Sequence, residues 1–263
     1  MNESEIRSSL RTARYGRTIH LYDVIDSTNT KAKLLAAGGA PDGTLVIAER
    51  QTAGKGRLGR NWESEPGVNL TFSLILRPQI SPSRTGIIPL IAGIAVSQAV
   101  EDVTGRKPSC KWPNDILMEG RKICGILTES LVEGSSLLAL IVGIGINVNQ
   151  KEFPAEIRET AGSLLRVTGT PVPRVSLLSA VLYRLENLSA FFTPDRHAEF
   201  LKTYSEYGPR AGTRVRLRHS SGTASGVTAG IDDSGGLILR DPRGTETTWY
   251  AGDVTILPED TPS

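Results

Sequence analysis

The sequence of 263 residues is poor in the residue types that build metal sites and disulfide frameworks. It contains two cysteines, Cys110 and Cys124, and three widely separated histidines. A disulfide framework or a zinc site needs several such residues at short, regular spacing. We therefore expect neither disulfides nor a metal centre built from protein ligands alone.

Long hydrophobic runs are also lacking. The N-terminal twenty residues contain no apolar segment typical of a signal sequence. Stretches such as 87–96, interrupted by Pro89, are much shorter than the roughly 20 residues of a membrane span. With 39% hydrophobic and 22% charged residues, the composition is that of a soluble globular protein. We expect a cytoplasmic protein with reduced thiols and no membrane partner.

An excess of one charge is missing as well, because the formal net charge is only +2. Aromatic residues amount to 5% and do not interleave with the cations, so base-stacking platforms are not expected. No DNA partner is therefore predicted. A nucleic-acid-binding protein that uses a basic glycine-rich loop and the basic region 210–218 stays open as an alternative of another functional class.

The hydrophobic pattern changes near Tyr207. Before it, alternating and helical periodicities indicate longer elements; after it, short β-rich runs separated by glycine-containing turns suggest a small barrel of about 50 residues. We therefore predict a domain over 1–207 and a small β domain over 208–263. Strands are predicted at 19–25, 44–50, 69–77, 111–117, 122–132 and 137–149, and helices at 27–37, 84–104, 173–192 and 195–207.

A glycine-rich, basic loop occupies residues 51–67. Its centre alternates glycines and cations: Gly54, Lys55, Gly56, Arg57, Gly59 and Arg60. Glycines let backbone N–H groups turn toward a ligand and the cations add charge, which suits a phosphate or a carboxylate. The Walker A spacing is absent. A surface loop with solvated charges is the simpler interpretation. Because the loop has almost no apolar anchors, we expect it to be disordered until its ligand binds.

A second motif is KWPNDI at 111–116, followed by Lys122 at the start of an apolar strand. The ammonium of Lys122 is thereby placed at the mouth of a buried region, where lysines neutralise anionic ligands. The alternative is a strand-end lysine that points into water.

A third motif is GIGINVN at 143–149, in which Gly143, Gly145, Asn147 and Asn149 share one strand face. That face offers bare backbone and then amides, as a closely approaching planar polar ligand requires; a bulge or tight sheet packing is the alternative.

A fourth motif, DSTN at 26–29, lies at a predicted strand-to-helix junction. Helix N-capping explains Ser27. A helix N-terminus is also a natural site for an anion or amide.

Taken in order, the motifs DSTN, GKGRLGRNW (54–62), KWPND (111–115), RKICGIL (121–127) and GIGINVN resemble the bacterial biotin protein ligases, or biotin–[acetyl-CoA-carboxylase] ligases. The similarity extends over about 19–257, including 230–240 and 250–254. The resemblance implies an α+β (two-layer α/β) fold: a mixed, mainly antiparallel sheet with helices on one face, similar to class II aminoacyl-tRNA synthetases. A small SH3-like β-barrel should follow it.

The resemblance implies that biotin and MgATP form biotinyl-5′-AMP and pyrophosphate. A lysine of the biotin carboxyl carrier protein of a biotin-dependent carboxylase then takes the biotinyl group. Too few residues precede the first strand for a helix-turn-helix, so we expect the form without the DNA-binding domain, as a monomer or ligand-dependent homodimer. Lipoate or octanoate ligation is the alternative, although the histidine–aspartate pair of that family is missing.

The resemblance also implies residue roles. The expected biotin-binding residues are Ser27, Thr28, Asn29, Gln51, Gly54, Lys55, Gly56, Arg57, Lys122, Gly125, Gly143 and Gly145. Those expected to contact ATP or the adenylate are Arg57, Arg60, Trp62, Lys111, Asn114, Lys122 and Asn147. Catalysis is assigned to Lys122, Arg57 and Asp115, with Asp115 orienting the lysine or a Mg²⁺ ion. Lys55 stands where the family usually has arginine.

Overall fold

The computed structural model describes residues 1–134 and 136–257, which form two sheets along the chain. The first sheet contains β1 (Ile19–Ile25), β2 (Leu45–Gln51), β3 (Leu70–Leu76), β4 (Ser109–Lys111), β5 (Asp115–Met118), β6 (Arg121–Glu133) and β7 (Ser136–Ile146). The second contains β8 (Arg214–His219), β9 (Gly222–Ile231), β10 (Leu237–Arg240), β11 (Glu246–Trp249) and β12 (Asp253–Ile256). The helices are α1 (Glu3–Ser9), α2 (Thr28–Ala37), α3 (Ile88–Thr104), α4 (Leu164–Thr168), α5 (Arg174–Leu188) and α6 (His197–Ser205).

The first sheet has the strand order β1-β2-β3-β7-β6-β5-β4. The pair β1–β2 is parallel, and the other neighbouring strands of this sheet run antiparallel. The prediction of a mixed, mainly antiparallel sheet is confirmed.

Helices α3 and α5 pack on one face of this sheet and enclose the main hydrophobic core. Alternate residues of β3, such as Phe72 and Leu74, are fully buried in it, because successive side chains of a strand point to opposite faces. The segment Pro82–Thr104 is long and apolar enough by composition to span a membrane, contrary to the expectation from shorter runs. Two thirds (67%) of its most apolar window is buried inside the fold, which is the packing of a core helix.

The prediction that helices lie on one face is wrong for α2. Its Ala32 and Ala36 pack against Val46, Ile75 and Ile141, which alternate with the residues facing α3 and therefore lie on the opposite face. A periodic helix pattern shows that a helix is amphipathic, but not which sheet face it covers. One end of the second face is thus covered by α2, and the rest carries the site described below.

Several predicted boundaries are corrected by the structure. The predicted strand 111–117 is a hairpin of β4 and β5, with Trp112–Asn114 as the turn and a cis Trp112–Pro113 bond. The predicted helix 84–104 begins as a 3₁₀ turn at Pro82–Ile87, and Pro89 lies in the first turn of α3 as expected. Neither α4 nor β12 was predicted.

The second sheet is antiparallel, with the order β11-β10-β9-β8-β12. It contacts the first part of the chain through Trp112, whose Nε1 donates to the carbonyl of Gly235 at 3.0 Å. The predicted boundary at Tyr207 lies between α6 and β8. The end of the predicted domain, 258–263, lies outside the described residues.

Candidate active site

The parallel pairing of β1 and β2 brings the DSTN motif beside Gln51. Ile25 and Gln51 are partners at the carboxyl ends of the two strands, and α2 starts directly after β1. Ser27 caps α2 by accepting a weak hydrogen bond from the N–H of Thr30 at 3.5 Å. The N–H and hydroxyl of Thr28 both donate to Oε1 of Gln51, at 2.7 and 3.0 Å. Ser27, Thr28 and Gln51 therefore form one polar end of the site.

Asn29 is held from three sides. Its Nδ2 donates to the carbonyl of Leu127 and to Oε2 of Glu129, and its Oδ1 accepts from the hydroxyl of Ser73 at 2.6 Å. Ser73 and Glu129 were missed by the sequence interpretation. Ser73 could have been found as a polar residue that interrupts the apolar strand NLTFSLILR, and Glu129 as an acid inside an apolar run.

The floor of the site is bare backbone from β6 and β7. A Cβ on Gly143 would lie 2.8 Å from Cγ of Asn29, and one on Gly145 would lie 2.6 Å from Cζ2 of Trp62. A Cβ on Gly125 would lie 3.0 Å from the same indole. A side chain at Gly143 or Gly145 would therefore force its neighbour to move, whereas at Gly125 the indole and the end of the Lys122 side chain would have to shift only slightly. The predicted glycine face of the third motif is present and serves close packing.

The glycine-rich loop crosses this floor as a narrow hairpin. The N–H of Trp62 donates to the carbonyl of Gly54 at 2.9 Å, and the N–H of Gly56 donates to the carbonyl of Arg60 at 2.7 Å. A short 3₁₀ turn, Arg57–Gly59, forms its tip. The expected disorder of this loop without ligand stays a prediction.

Arg57 reaches back from the loop toward the sheet. Its Nη1 donates to Oδ1 of Asn114 at 3.0 Å and to the carbonyl of Gly252, in the second sheet's part of the chain, at 3.5 Å. Asn114 in turn donates to the carbonyl of Ile126 at 2.8 Å. Burial lowers the pKa of Arg57, opposed by the neighbouring carboxylates, but a guanidinium stays protonated at any physiological pH. Asn114 thus positions a permanent cation.

Lys122 and Asp115 form an ion pair where the loop meets β5 and β6. Nζ of Lys122 lies 2.6 Å from Oδ1 of Asp115, although the angles are not those of a regular hydrogen bond. The side chains are 34% and 19% exposed, so the pair is shielded but reachable. The ammonium also lies 5.7 Å from the ring centroid of Trp62, whose buried Nε1 has no hydrogen-bond partner among the described residues.

Two cavities meet at Lys122 and Trp62. The first, called the narrow slot, has a free volume of only about 50 Å³, room for one or two water molecules. The second, called the large cavity, has about 650 Å³ and extends toward the segment 150–161. The Trp62 indole lies over Gly125 and Gly145 and lines both cavities.

The structure brings the predicted site residues together around these cavities. Those that line the narrow slot are Ser27, Asn29, Gln51, Lys55, Gly56, Arg57, Trp62, Asn114, Lys122, Gly125, Gly143 and Gly145. Thr28 and Gly54 lie directly behind it, in contact with Gln51. Asn147 lines the large cavity, while its Nδ2 donates to the carbonyl of Gly162. Lys111 and Asp115 face a third cavity, toward the second sheet.

The donors available for a metal ion are few. No group of three or more His, Cys, Asp or Glu side chains occurs within 1–134 and 136–257. Asp115 is the carboxylate paired with Lys122, where the slot and the large cavity meet. This fits an ion that is held mainly by a ligand's own oxygens, as Mg²⁺ is by phosphates.

Comparison with known proteins assigns a class to this fold and site. Residues 21–147 match the model of the biotin/lipoate A/B protein ligase family, and residues 212–257 match the biotin protein ligase C-terminal domain.

The relatives narrow the class. The bifunctional ligase/repressor BirA of Bacillus subtilis is 38% identical over 97% of this chain and 79% of its own length. The biotin–[acetyl-CoA-carboxylase] ligase of Mycobacterium tuberculosis is 32% identical over 98% and 96%. The solved structure of the Aquifex aeolicus biotin protein ligase in complex with biotin and ATP has a TM-score of 0.78 and 32% identity, covering 92% of this chain and all of that one. The chain belongs to the biotin protein ligases.

Proposed function

We propose that this chain is an ATP-dependent biotin ligase that forms biotinyl-5′-AMP and transfers the biotinyl group to a lysine of a biotin carboxyl carrier domain. The observation that carries the proposal is the convergence of two cavities on one cationic point. The slot ends at Lys122 and Arg57, and the large cavity begins at Lys122 and Trp62. This arrangement suits two ligands that react with each other beside Lys122. Relatives named biotin–[acetyl-CoA-carboxylase] ligases support biotin rather than lipoate as the carboxylate.

The bicyclic ring of biotin is assigned to the polar end of the slot, at Ser27, Thr28 and Gln51, with its tail on the glycine floor. Because the slot is nearly full, binding requires the Trp62 indole to leave the floor. The large cavity, which Trp62 also lines, offers the indole a place beside the adenine of ATP. Asn147, which also lines the large cavity, is assigned to the adenine side of ATP as well.

The first reaction needs charge compensation rather than a base. A carboxylate oxygen bonds to the α-phosphorus, and the bond to the β-phosphate breaks, so that pyrophosphate leaves with the electron pair. The carboxylate is already ionised at neutral pH. Lys122 and Arg57 offset the repulsion between the two anions and stabilise the charge of the transition state. Asp115 holds the Lys122 ammonium in position.

In the second reaction the neutral amine of the carrier lysine attacks the carbonyl carbon of the mixed anhydride. The amide bond forms, AMP leaves, and the amine loses its proton to solvent. Mg²⁺ would neutralise the phosphates, held by their oxygens and by Asp115. We also propose an SH3-like arrangement of the second sheet, a class II synthetase-like first sheet and a cytoplasmic location.

The test is biotin-dependent exchange of labelled pyrophosphate into ATP with Mg²⁺, with lipoate and octanoate as parallel carboxylates. Exchange with biotin alone is expected. Exchange with lipoate or octanoate instead would reassign the substrate. No exchange with any of the three would contradict adenylation and make a nucleic acid the next ligand to examine.

A further inference from the structure

Trp112 is a buried residue of the second motif to which the proposed function assigns no role. Its indole is 2% exposed and stands at the start of the turn that joins β4 and β5. The indole N–H donates to the carbonyl of Gly235, 123 positions further along the chain, at 3.0 Å. A buried donor that loses its acceptor is strongly disfavoured. The place of Trp112 therefore depends on the second sheet.

The carbonyl that accepts this hydrogen bond belongs to a rigid turn between β9 and β10. We call residues 232–236 the docking turn. Oδ1 of Asp232 accepts two N–H groups of the turn, at 2.9 and 2.7 Å, and its Oδ2 accepts the hydroxyl of Tyr250 at 2.6 Å. Three hydrogen bonds to one carboxylate fix the turn, which thus presents the Gly235 carbonyl in one direction.

The docking turn packs directly against the backbone that precedes α3. A Cβ on Gly86 would lie 2.5 Å from the carbonyl oxygen of Ser234, and one on Gly235 would lie 2.4 Å from the backbone of Gly86. A side chain at either position would force the two segments apart, because a backbone cannot rotate out of the way. At the start of α6, Nε2 of His197 lies 3.2 Å from Oδ1 of Asp233. These contacts hold the second sheet in place beside Trp112.

The turn that Trp112 begins also carries the partner of Arg57. Asn114, two positions further on, accepts from Nη1 of Arg57 at 3.0 Å and donates to the carbonyl of Ile126. The same Nη1 lies 3.5 Å from the carbonyl of Gly252, in the second sheet's part of the chain. Arg57 is thus held between Asn114 and the second sheet. A shift of one relative to the other would move the guanidinium.

We propose that Trp112 is a positioning residue for Arg57: its hydrogen bond to the docking turn sets the place of Asn114, and so of the guanidinium beside the reacting carboxylate. The inference rests on the proposed function for the role of Arg57. Among the described residues that line the slot, Asn114 and Arg57 belong to this series of contacts and Trp112 does not. Trp112 therefore acts through them and not on a ligand.

Trp112→Phe retains an aromatic ring and removes the N–H, and Trp249→Phe, in β11, is the matched control. Formation of biotinyl-5′-AMP at saturating biotin and ATP should fall roughly tenfold in Trp112→Phe, because a displaced catalytic group slows the reaction of bound substrates. The control should match wild type. A merely structural role would lower the melting temperature but leave the rate per folded molecule unchanged. Once Asn114→Ala has broken the link, adding Trp112→Phe should change the rate by less than about twofold.

Two glycines test the same contact from the second sheet. Gly235 and Gly244 have nearly equal positive φ angles, 87° and 86°, but a Cβ on Gly244 would meet no atom within 4 Å. Gly235→Ala and Gly244→Ala therefore introduce similar backbone strain, and only the first displaces the docking turn. Adenylation should slow in Gly235→Ala alone.

Hydrogen exchange of the ligand-free proteins tests the positioning without turnover. Amides within 54–62 should exchange faster in Trp112→Phe and Gly235→Ala than in their two controls, because the loop is no longer tethered through Arg57. An adenylation rate of Trp112→Phe within about twofold of wild type would overturn the inference, as would an equal loss with and without Asn114→Ala. If wild type lacks adenylation but these amides still exchange faster, the proposed function fails and the positioning of Arg57 stands.

Discussion

Replacing Lys122 by alanine tests the electrostatic account of adenylation most directly. The ammonium stands 2.6 Å from Asp115 at the meeting point of the slot and the large cavity. The substitution removes the cation placed between two anionic substrates. It also leaves the Asp115 carboxylate unpaired beside the place that the ammonium occupied. Both changes destabilise the transition state of adenylation.

The size of the effect is estimated from Coulomb's law for an ammonium in contact with the reacting group. A unit charge about 4 Å from the reacting group contributes about 4 kcal/mol at an effective dielectric constant near 20. A third of the Lys122 side chain is exposed, so solvent screens part of this. We therefore expect a loss of about 3 kcal/mol, or roughly 10²-fold in the adenylation rate. Adding Asp115→Asn to Lys122→Ala should restore the adenylation rate roughly tenfold, because the double variant no longer carries the uncompensated carboxylate.

Rapid-quench measurement of biotinyl-5′-AMP formation at saturating biotin and ATP is the assay, since it isolates the chemical step from binding. Lys202→Ala, an exposed lysine on α6, serves as the matched control and should behave as wild type. An adenylation rate of Lys122→Ala within a few fold of wild type would refute the role of the ammonium. Equal rates for Lys122→Ala and its double variant with Asp115→Asn would refute the repulsion by Asp115.

Three further predictions concern the floor, the fold and the loop. Gly143→Ala should weaken biotin binding in calorimetry and lower the free energy of unfolding by about 1–3 kcal/mol, because the tethered Asn29 cannot retreat from the new Cβ; wild-type values would contradict the close packing. Glu186 accepts three backbone hydrogen bonds from residues 13–15. Partial burial works to raise its pKa, but these bonds lower it, so its stabilisation is complete above pH 4.5 and is lost as pH falls through the lower folded value. Glu186→Gln should accordingly destabilise the protein at neutral pH and less in acid, in urea titrations at both; a pH-independent difference would contradict this. Biotin with ATP should slow trypsin cleavage within 51–67, and equal cleavage rates would remove the proposed ordering of the loop.

The strands and helices that were predicted well depend on local signals. β1 was predicted and observed at 19–25, because alternation and the N-cap at Ser27 act within a few residues. The sequence pattern predicts one strand where the structure has a hairpin at 109–118. A turn of three residues is too short to interrupt the hydrophobic pattern of the two strands visibly. The position of α2 on the opposite face depends on strand order, which pairs residues that are far apart in sequence.

The candidate site shows the same division. The glycines, Arg57 and Lys122 stand out in the sequence because their type and spacing indicate chemistry. Their partners do not, because the contacts are remote along the chain: Ser73 reaches Asn29 over 44 positions, and Asp253 reaches Arg60 over 193. A single serine or aspartate at such a distance carries no local pattern. The polar partners that hold a site in place are therefore the part of it that only the folded chain reveals.

Hydrogen-bonding capacity separates residues that build this site from residues that can bind a ligand. The amide of Asn29 has two N–H donors, and both are used, by Leu127 and Glu129. Although Asn29 lines the slot, it therefore ties α2 to β6 rather than offering donors to a ureido group. Gln51 differs, because Thr28 bonds only to its oxygen and, within 1–134 and 136–257, no hydrogen bond uses its Nε2 donors. Recognition of a ureido carbonyl should thus depend on Gln51 and the hydroxyl of Ser27, with Asn29 fixing the floor on which the ring rests.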